Sequence, residues 1–108
     1  PDVAWASDER LSALSDEDAE IPPFAPEIVV EVRSPRDDLK YLRQKIERCL
    51  ATGAVLVLDV NPKRHEIIAH THTSTQVFSE DETFATDAVP WFSFGLRALF
   101  AAAERHRR

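Results

Sequence analysis

Methionine is absent, cysteine occurs once and glycine twice in this chain of 108 residues, and each scarcity removes a class of chemistry. One cysteine, Cys49, permits neither an intrachain disulfide nor a thiolate zinc cluster, and its setting in a helical stretch marks it as a buried helix residue rather than a nucleophile. Two glycines leave no material for a glycine-rich phosphate loop or a nucleophile elbow. Zinc-finger spacing and internal repeats are also missing. No apolar run approaches the roughly eighteen residues of a membrane span, and no basic-then-apolar leader opens the chain. The expectation is a soluble, cytoplasmic protein with no membrane partner. Positive charge is scarce as well: 13 basic residues against 19 acidic ones set the formal charge at −6. That sign argues against a broad basic surface for gripping nucleic acid. Part of the acidity is local, however, since Asp8, Glu9, Asp16, Glu17, Asp18 and Glu20 crowd one segment that reads as a solvated connection and need not face a substrate.

The remaining composition is enough for one core. With 44% hydrophobic and 30% charged residues the balance is that of a globular protein, and the length allows one domain but not two ordinary ones. The first residues already look like a strand, which leads to the expectation that an upstream portion precedes them.

Residues Val3 to Ala6 suggest a short strand, followed by a polar connection from Ser7 to Glu20 with a turn of helix around Leu11 and Leu14. Pro22, Pro23 and Pro26 exclude a regular helix and deliver the chain in extended form to Glu27. The β-branched run Ile28, Val29, Val30 and Val32 then predicts a central strand. Ser34 as N-cap, Pro35 at the first helical position and Asp37 near the positive dipole end predict a helix to about Thr52, stopped by Gly53. Leu39, Leu42, Ile46, Cys49 and Leu50 form its apolar stripe, and Lys45 borders that stripe. Val55 to Val60 reads as a strand parallel to the Ile28 strand, with Asn61 and Pro62 turning out of it. Glu66 to Ala69 and Gln76 to Phe78 suggest a hairpin, Val89 to Phe94 an apolar approach, and Leu96 to Ala103 a helix. The basic tail Arg105 to Arg108 reads as terminal and unstructured.

Charged residues in apolar strands draw attention. Alternation puts Glu27, Val29, Glu31 and Arg33 on one face of their strand and Ile28, Val30 and Val32 on the other. An isolated buried carboxylate is costly, so Glu31 should sit near water, coordinate a metal, or pair with a cation such as Arg33 or Arg36. Asp59 reads either as a strand-end residue facing solvent or as a third acid near the same place. Two strand carboxylates, Asp2 and Glu31, together with Lys45 on the following helix, have the makings of a magnesium site, because carboxylate oxygens are the hard ligands that ion prefers. His70 and His72 would share a strand face, but two ligands without a third do not make a zinc site, and a solvated hairpin is the simpler reading.

The strings Pro-Asp-Val-Ala-Trp (residues 1 to 5), Ala-Pro-Glu-Ile-Val-Val-Glu-Val-Arg-Ser-Pro-Arg-Asp (25 to 37) and Leu-Arg-Gln-Lys-Ile-Glu-Arg-Cys-Leu-Ala-Thr-Gly-Ala (42 to 54) closely resemble the Uma-two family of restriction-endonuclease-like proteins in the PD-(D/E)XK nuclease superfamily. The Asn61-Pro62 turn and Val89-Pro90-Trp91-Phe92 match it too. The resemblance runs nearly the length of the chain and corresponds to the later, C-terminal part of a family domain. It implies an α/β fold, a restriction-endonuclease-like mixed sheet flanked by helices, in a chain that lacks the family's N-terminal elements. It also implies Asp2 as the motif's aspartate and Glu31 as its second acid. The superfamily's lysine would fall at Arg33, and in the Uma-two pattern Lys45 takes its place. Two departures stand out: Cys49 where the family often has tyrosine, and Leu58-Asp59 where it often has an aromatic followed by an aliphatic residue.

The resulting expectation is a magnesium-dependent endonuclease, with manganese as a possible substitute, hydrolysing DNA phosphodiester bonds. Asp2, Glu31 and the Val32 carbonyl would hold the ion and Lys45 would assist, with Glu27 and Arg33 as second-tier candidates and a homodimer as an option for cutting both strands. The competing expectations are a non-catalytic assembly or regulatory module on the same fold, and a metal-dependent hydrolase of smaller nucleotides.

Overall fold

A computed structural model of the chain describes residues 2–14 and 24–105. The acids from Asp16 to Glu20, Pro22, Pro23 and the end of the basic tail from His106 on lie outside the described residues. A five-stranded sheet runs in the order β1 (Val3–Trp5), β2 (Ile28–Val32), β3 (Leu56–Asn61), β4 (Glu66–His70) and β5 (Thr75–Phe78). The pairs β1–β2, β3–β4 and β4–β5 are antiparallel, and β2–β3 is parallel, so the sheet is mixed. Parallel strands need a long crossover, here α2 (Leu39–Ala51). The β-branched run of β2 forms a strand as expected, but the middle of the sheet belongs to β3, whose residues Leu56 to Val60 are all buried. The correction has a simple cause: the hairpin β4–β5 adds two strands on the far side of β3, against one beyond β2.

Alternation divides the sheet into two unlike faces. Ile28, Leu56, Leu58, Val60, Ile67, Ala69 and Phe78 point to one face and are closed over by Phe84, Val89, Leu96 and Phe100. Phe84 sits in the middle of this aromatic cluster, with ring centroids 5.1 Å from Phe78 and 5.2 Å from Phe94. The apolar approach around Val89 thus docks onto the sheet, and Phe94–Gly95 (β7) pairs with Thr83–Phe84 (β6) as a small ribbon that two-residue strands gave no periodicity to reveal. The last helix, α3 (Leu96–Arg105), continues from it. On the opposite face Val29 and Val57 lie under Leu42, Ile46 and Ala54. Cys49 is half-buried against that cluster, and burial pushes its thiol pKa up. Among the described residues no helix is long and apolar enough to cross a membrane.

The start of α2 differs from the expected Ser34 cap. The Asp37 carboxylate accepts hydrogen bonds from the Ser34 N–H (2.7 Å) and hydroxyl (3.1 Å), closing residues 34–37 into a turn. Asp38 is the N-cap, extended and accepting from the Lys40 N–H at 2.9 Å. Aspartate serves here as well as serine, and Ser34 is already held by Asp37. At the other end Gly53 has φ +126°, a conformation side-chain-bearing residues avoid. Its carbonyl accepts from Arg10 Nη1 at 3.0 Å, which ties α1 (Asp8–Ser12) to the end of α2.

The C-terminal helix is fastened by His65, a non-glycine residue at positive φ (49°). Its ring stacks on Phe100 at 4.8 Å, with Nδ1 3.2 Å from Glu80 and Nε2 2.6 Å from Glu104. The hydrogen bond to Glu80 raises the His65 pKa against the smaller opposing effect of burial, and Glu104 adds to the rise. A folded pKa above the unfolded value of about 6.5 means the clamp contributes fully below that value and is lost as pH rises through the folded pKa. Urea midpoints measured across this range should therefore fall from mildly acid toward alkaline pH, and His65→Gln should flatten that slope. An identical slope in the variant would remove the clamp from the account.

Candidate active site

Register brings the acids together. Val3 stands opposite Val30, so Asp2 falls beside Glu31 at the start of β1, and Glu31 is paired in the ladder with Asp59 of β3. In-register neighbours project to the same face, which makes a row of three acids across β1, β2 and β3. Two of them are deeply covered: Glu31 is 7% exposed and Asp59 3%. Buried carboxylates in adjacent positions require cations or protons, and the fold supplies a different cation to each.

Glu31 is served by α2. Lys45 Nζ lies 3.0 Å from Glu31 Oε1, so the stripe-edge lysine extends over the sheet end as its amphipathic stem allows. The Glu31 carboxylate, through a hydrogen bond and its charge, raises the Lys45 pKa against the opposing effect of burial. Lys45 is thus held as an ammonium, a donor and a charge rather than a base. Asp2 is exposed and oriented by the backbone, its Oδ2 accepting the Val32 N–H at 2.7 Å. Asp2, Glu31, Val32 and Lys45 all line one cavity of about 290 Å³, with Ser34, Asp37, Asp38, Tyr41 and Leu42 completing its wall.

Asp59 is served by its neighbour Arg33. Two hydrogen bonds, Nε to Oδ1 at 2.8 Å and Nη2 to Oδ2 at 2.6 Å, make a bidentate pair that raises the Arg33 pKa, the Asp59 hydrogen bond being the main cause. This overturns the solvent-facing reading of Asp59 and the pairing of Glu31 with Arg33. The two residues face a separate groove of about 490 Å³ beside Ile68 and His70. Burial lowers the His70 pKa, with Asp59 pulling the other way. His72 lies beyond the end of β4. Glu27, the other second-tier acid, stands at the opposite end of β2 from Glu31. It accepts the Ser7 N–H in both oxygens (3.1 and 3.2 Å) and pairs with Arg10 at 3.4 Å. Burial alone would raise its pKa, but the Ser7 hydrogen bonds and Arg10 together lower it. Neither Glu27 nor Arg33 lines the Asp2–Glu31–Lys45 cavity.

Sequence reasoning missed Tyr41, Asp37 and Asp38 as cavity residues. For Tyr41 a signal existed, since it precedes Lys45 by four positions and so lies one turn away on the same helix face. Among the described residues no three His, Cys, Asp or Glu side chains gather at metal-ligand spacing. The cavity's oxygen donors include the Asp2 and Glu31 carboxylates and the strand-end residue Val32, besides Asp37 and Asp38 on its wall. That fits magnesium, which is bound through one or two carboxylates and keeps several waters.

The fold has a counterpart among solved structures. Over 72% of the chain, at 20% identity and a TM-score of 0.64, the fold matches the crystal structure of a protein from Anabaena variabilis described as "a putative nuclease belonging to DUF820". The chain spans 45% of that protein's length. Mixed sheet and flanking helices are therefore a nuclease-type fold. Residues 1–99 match the model of the Uma2 family, described as "Putative restriction endonuclease", and the chain belongs to that family. No curated protein matches it.

Removing Asp59 should be felt as lost stability. Asp59→Ala leaves the Arg33 side chain, 24% exposed in the intact pair, without its carboxylate, at a cost of about 3 kcal/mol, the lower end for a broken buried pair. The double variant Arg33→Leu/Asp59→Leu should recover most of it. Denaturant midpoints check both, and a loss below about 1 kcal/mol in Asp59→Ala would mean the pair is dispensable.

Proposed function

We propose that this protein hydrolyses DNA phosphodiester bonds at the Asp2–Glu31–Lys45 cavity, in the manner of the PD-(D/E)XK nucleases, with the chain forming the C-terminal, site-bearing part of a cytoplasmic nuclease domain. The observation that carries this reading is the shared cavity: two carboxylates from different strands and a lysine ammonium 3.0 Å from one of them. Family membership supports the reaction class.

Asp2 and Glu31 would hold magnesium, or manganese in its place, with Val32 as a further oxygen ligand. The bound ion would supply a Lewis acid that lowers the pKa of water and offsets phosphate charge. The chain's own groups do the rest. The Val32 N–H fixes the Asp2 carboxylate at the strand end. Burial of Glu31 strengthens its electrostatic interactions, because the surroundings screen charge less than water does. Lys45, whose ammonium meets Glu31 at 3.0 Å, would donate a hydrogen bond to a water or a phosphoryl oxygen and neutralise charge that develops in the transition state. Arg33 cannot take that part while its fork is closed on Asp59.

Cleavage of plasmid and oligonucleotide DNA in magnesium or manganese tests the reading. Glu31→Gln and Lys45→Met should each lower the rate on the order of 100-fold, with circular dichroism unchanged, and EDTA should abolish cleavage. Equal activity in both variants would assign the cleavage to another site.

A further inference from the structure

We infer that the DNA taken by this cavity is an unpaired strand, with one base stacked on the ring of Tyr41. The inference rests on the hydrolytic reading above and adds a substrate class to it.

Tyr41 is the chain's one tyrosine and is 61% exposed, so core packing does not account for its ring. It borders the same cavity as Asp2, Glu31 and Lys45. Four positions apart on α2, the Tyr41 and Lys45 side chains leave the helix about 5–6 Å apart at Cβ, a span that a nucleotide bridges from base to phosphate.

Charge decides between a duplex and a single strand. The cavity wall carries four carboxylates, Asp2, Glu31, Asp37 and Asp38, and one cation, Lys45. A duplex presents two phosphate backbones, about one charge per 1.7 Å of axis, and binding one takes a basic surface that this wall does not offer. A divalent ion and Lys45 can compensate a single phosphate, and further affinity must then come from uncharged contact. Stacking on an aromatic ring is such a contact, and it tolerates any base because every base has a π-face. Within a duplex both faces of a base are already covered by its neighbours, so the ring at the cavity rim can be used only by a base outside the stack.

The probe is a nuclease-resistant phosphorothioate oligothymidylate carrying one 2-aminopurine, titrated in magnesium as a single strand and as a duplex. The wild type and Tyr41→Phe should quench the single strand's fluorescence, and Tyr41→Ala should bind it about tenfold more weakly, with the duplex bound more weakly than the single strand by all three. Single-strand binding unchanged in Tyr41→Ala, or duplex binding as tight as single-strand binding, would overturn the inference. Cleavage assays on unmodified strands separate the two readings. Duplex cleavage indifferent to Tyr41→Ala overturns the unpaired-strand inference and leaves hydrolysis standing. Stacking on Tyr41 without any metal-dependent cleavage supports the inference and overturns hydrolysis.

Discussion

Parallel pairing of β2 with β3 places Glu31 directly beside Asp59 on one face of the sheet, and the rest of the site follows from the need to balance two buried carboxylates in neighbouring ladder positions. Neither can be left alone at low exposure without shifting its protonation or losing stability. The fold answers with two cations of different geometry. Arg33 has a planar fork that matches a carboxylate, and it locks onto Asp59 through two bonds. Lys45 carries a compact charge on a flexible stem and meets Glu31 at one point. The difference in side-chain chemistry separates a closed structural pair from one whose ammonium still faces a cavity.

The two faces of the sheet divide the labour. One is sealed by aromatics from the C-terminal third of the chain, with Phe84 at the centre and His65 clamping α3 from the side. The other is covered by α2, whose Leu42 and Ile46 pack on Val29 and Val57. Where that cover ends, at the carboxyl end of β2, the backbone opens into the turn at 34–37 and the cavity forms. Ligand sites in open α/β sheets commonly occupy this position, outside the carboxyl ends of parallel strands. An antiparallel β1 brings Asp2 to the same end from the opposite direction, so residues 29 positions apart share one wall.

Much of the fold was legible because the strands and helices obey local rules. The β-branched run of β2, the glycine after α2 and the Asn61-Pro62 turn all signal elements that the chain adopts within a residue or two, and the 3.6-residue stripe signals α2 itself, which begins at Leu39 and not at Pro35. The cap of α2 was misplaced since Ser34 and Asp38 are both good N-cap residues, and a side-chain bond from Asp37 chose between them. The β6–β7 ribbon was invisible because two residues carry no period. Asp2, Glu31 and Lys45 could be singled out by type and by resemblance, and Glu27 was grouped with them since strand alternation reports a face but not an end.

From its residues alone the chain determined which segments become strand or helix and which side chains share a face, because those properties depend on neighbours a few positions away. Tertiary structure decided which cation answers which acid, that Arg33 closes on Asp59 while Lys45 reaches Glu31, and that Tyr41 rather than Glu27 stands at the cavity. The two ion pairs join residues 14 and 26 positions apart, and only the register between strands and the docking of α2 sets their distances.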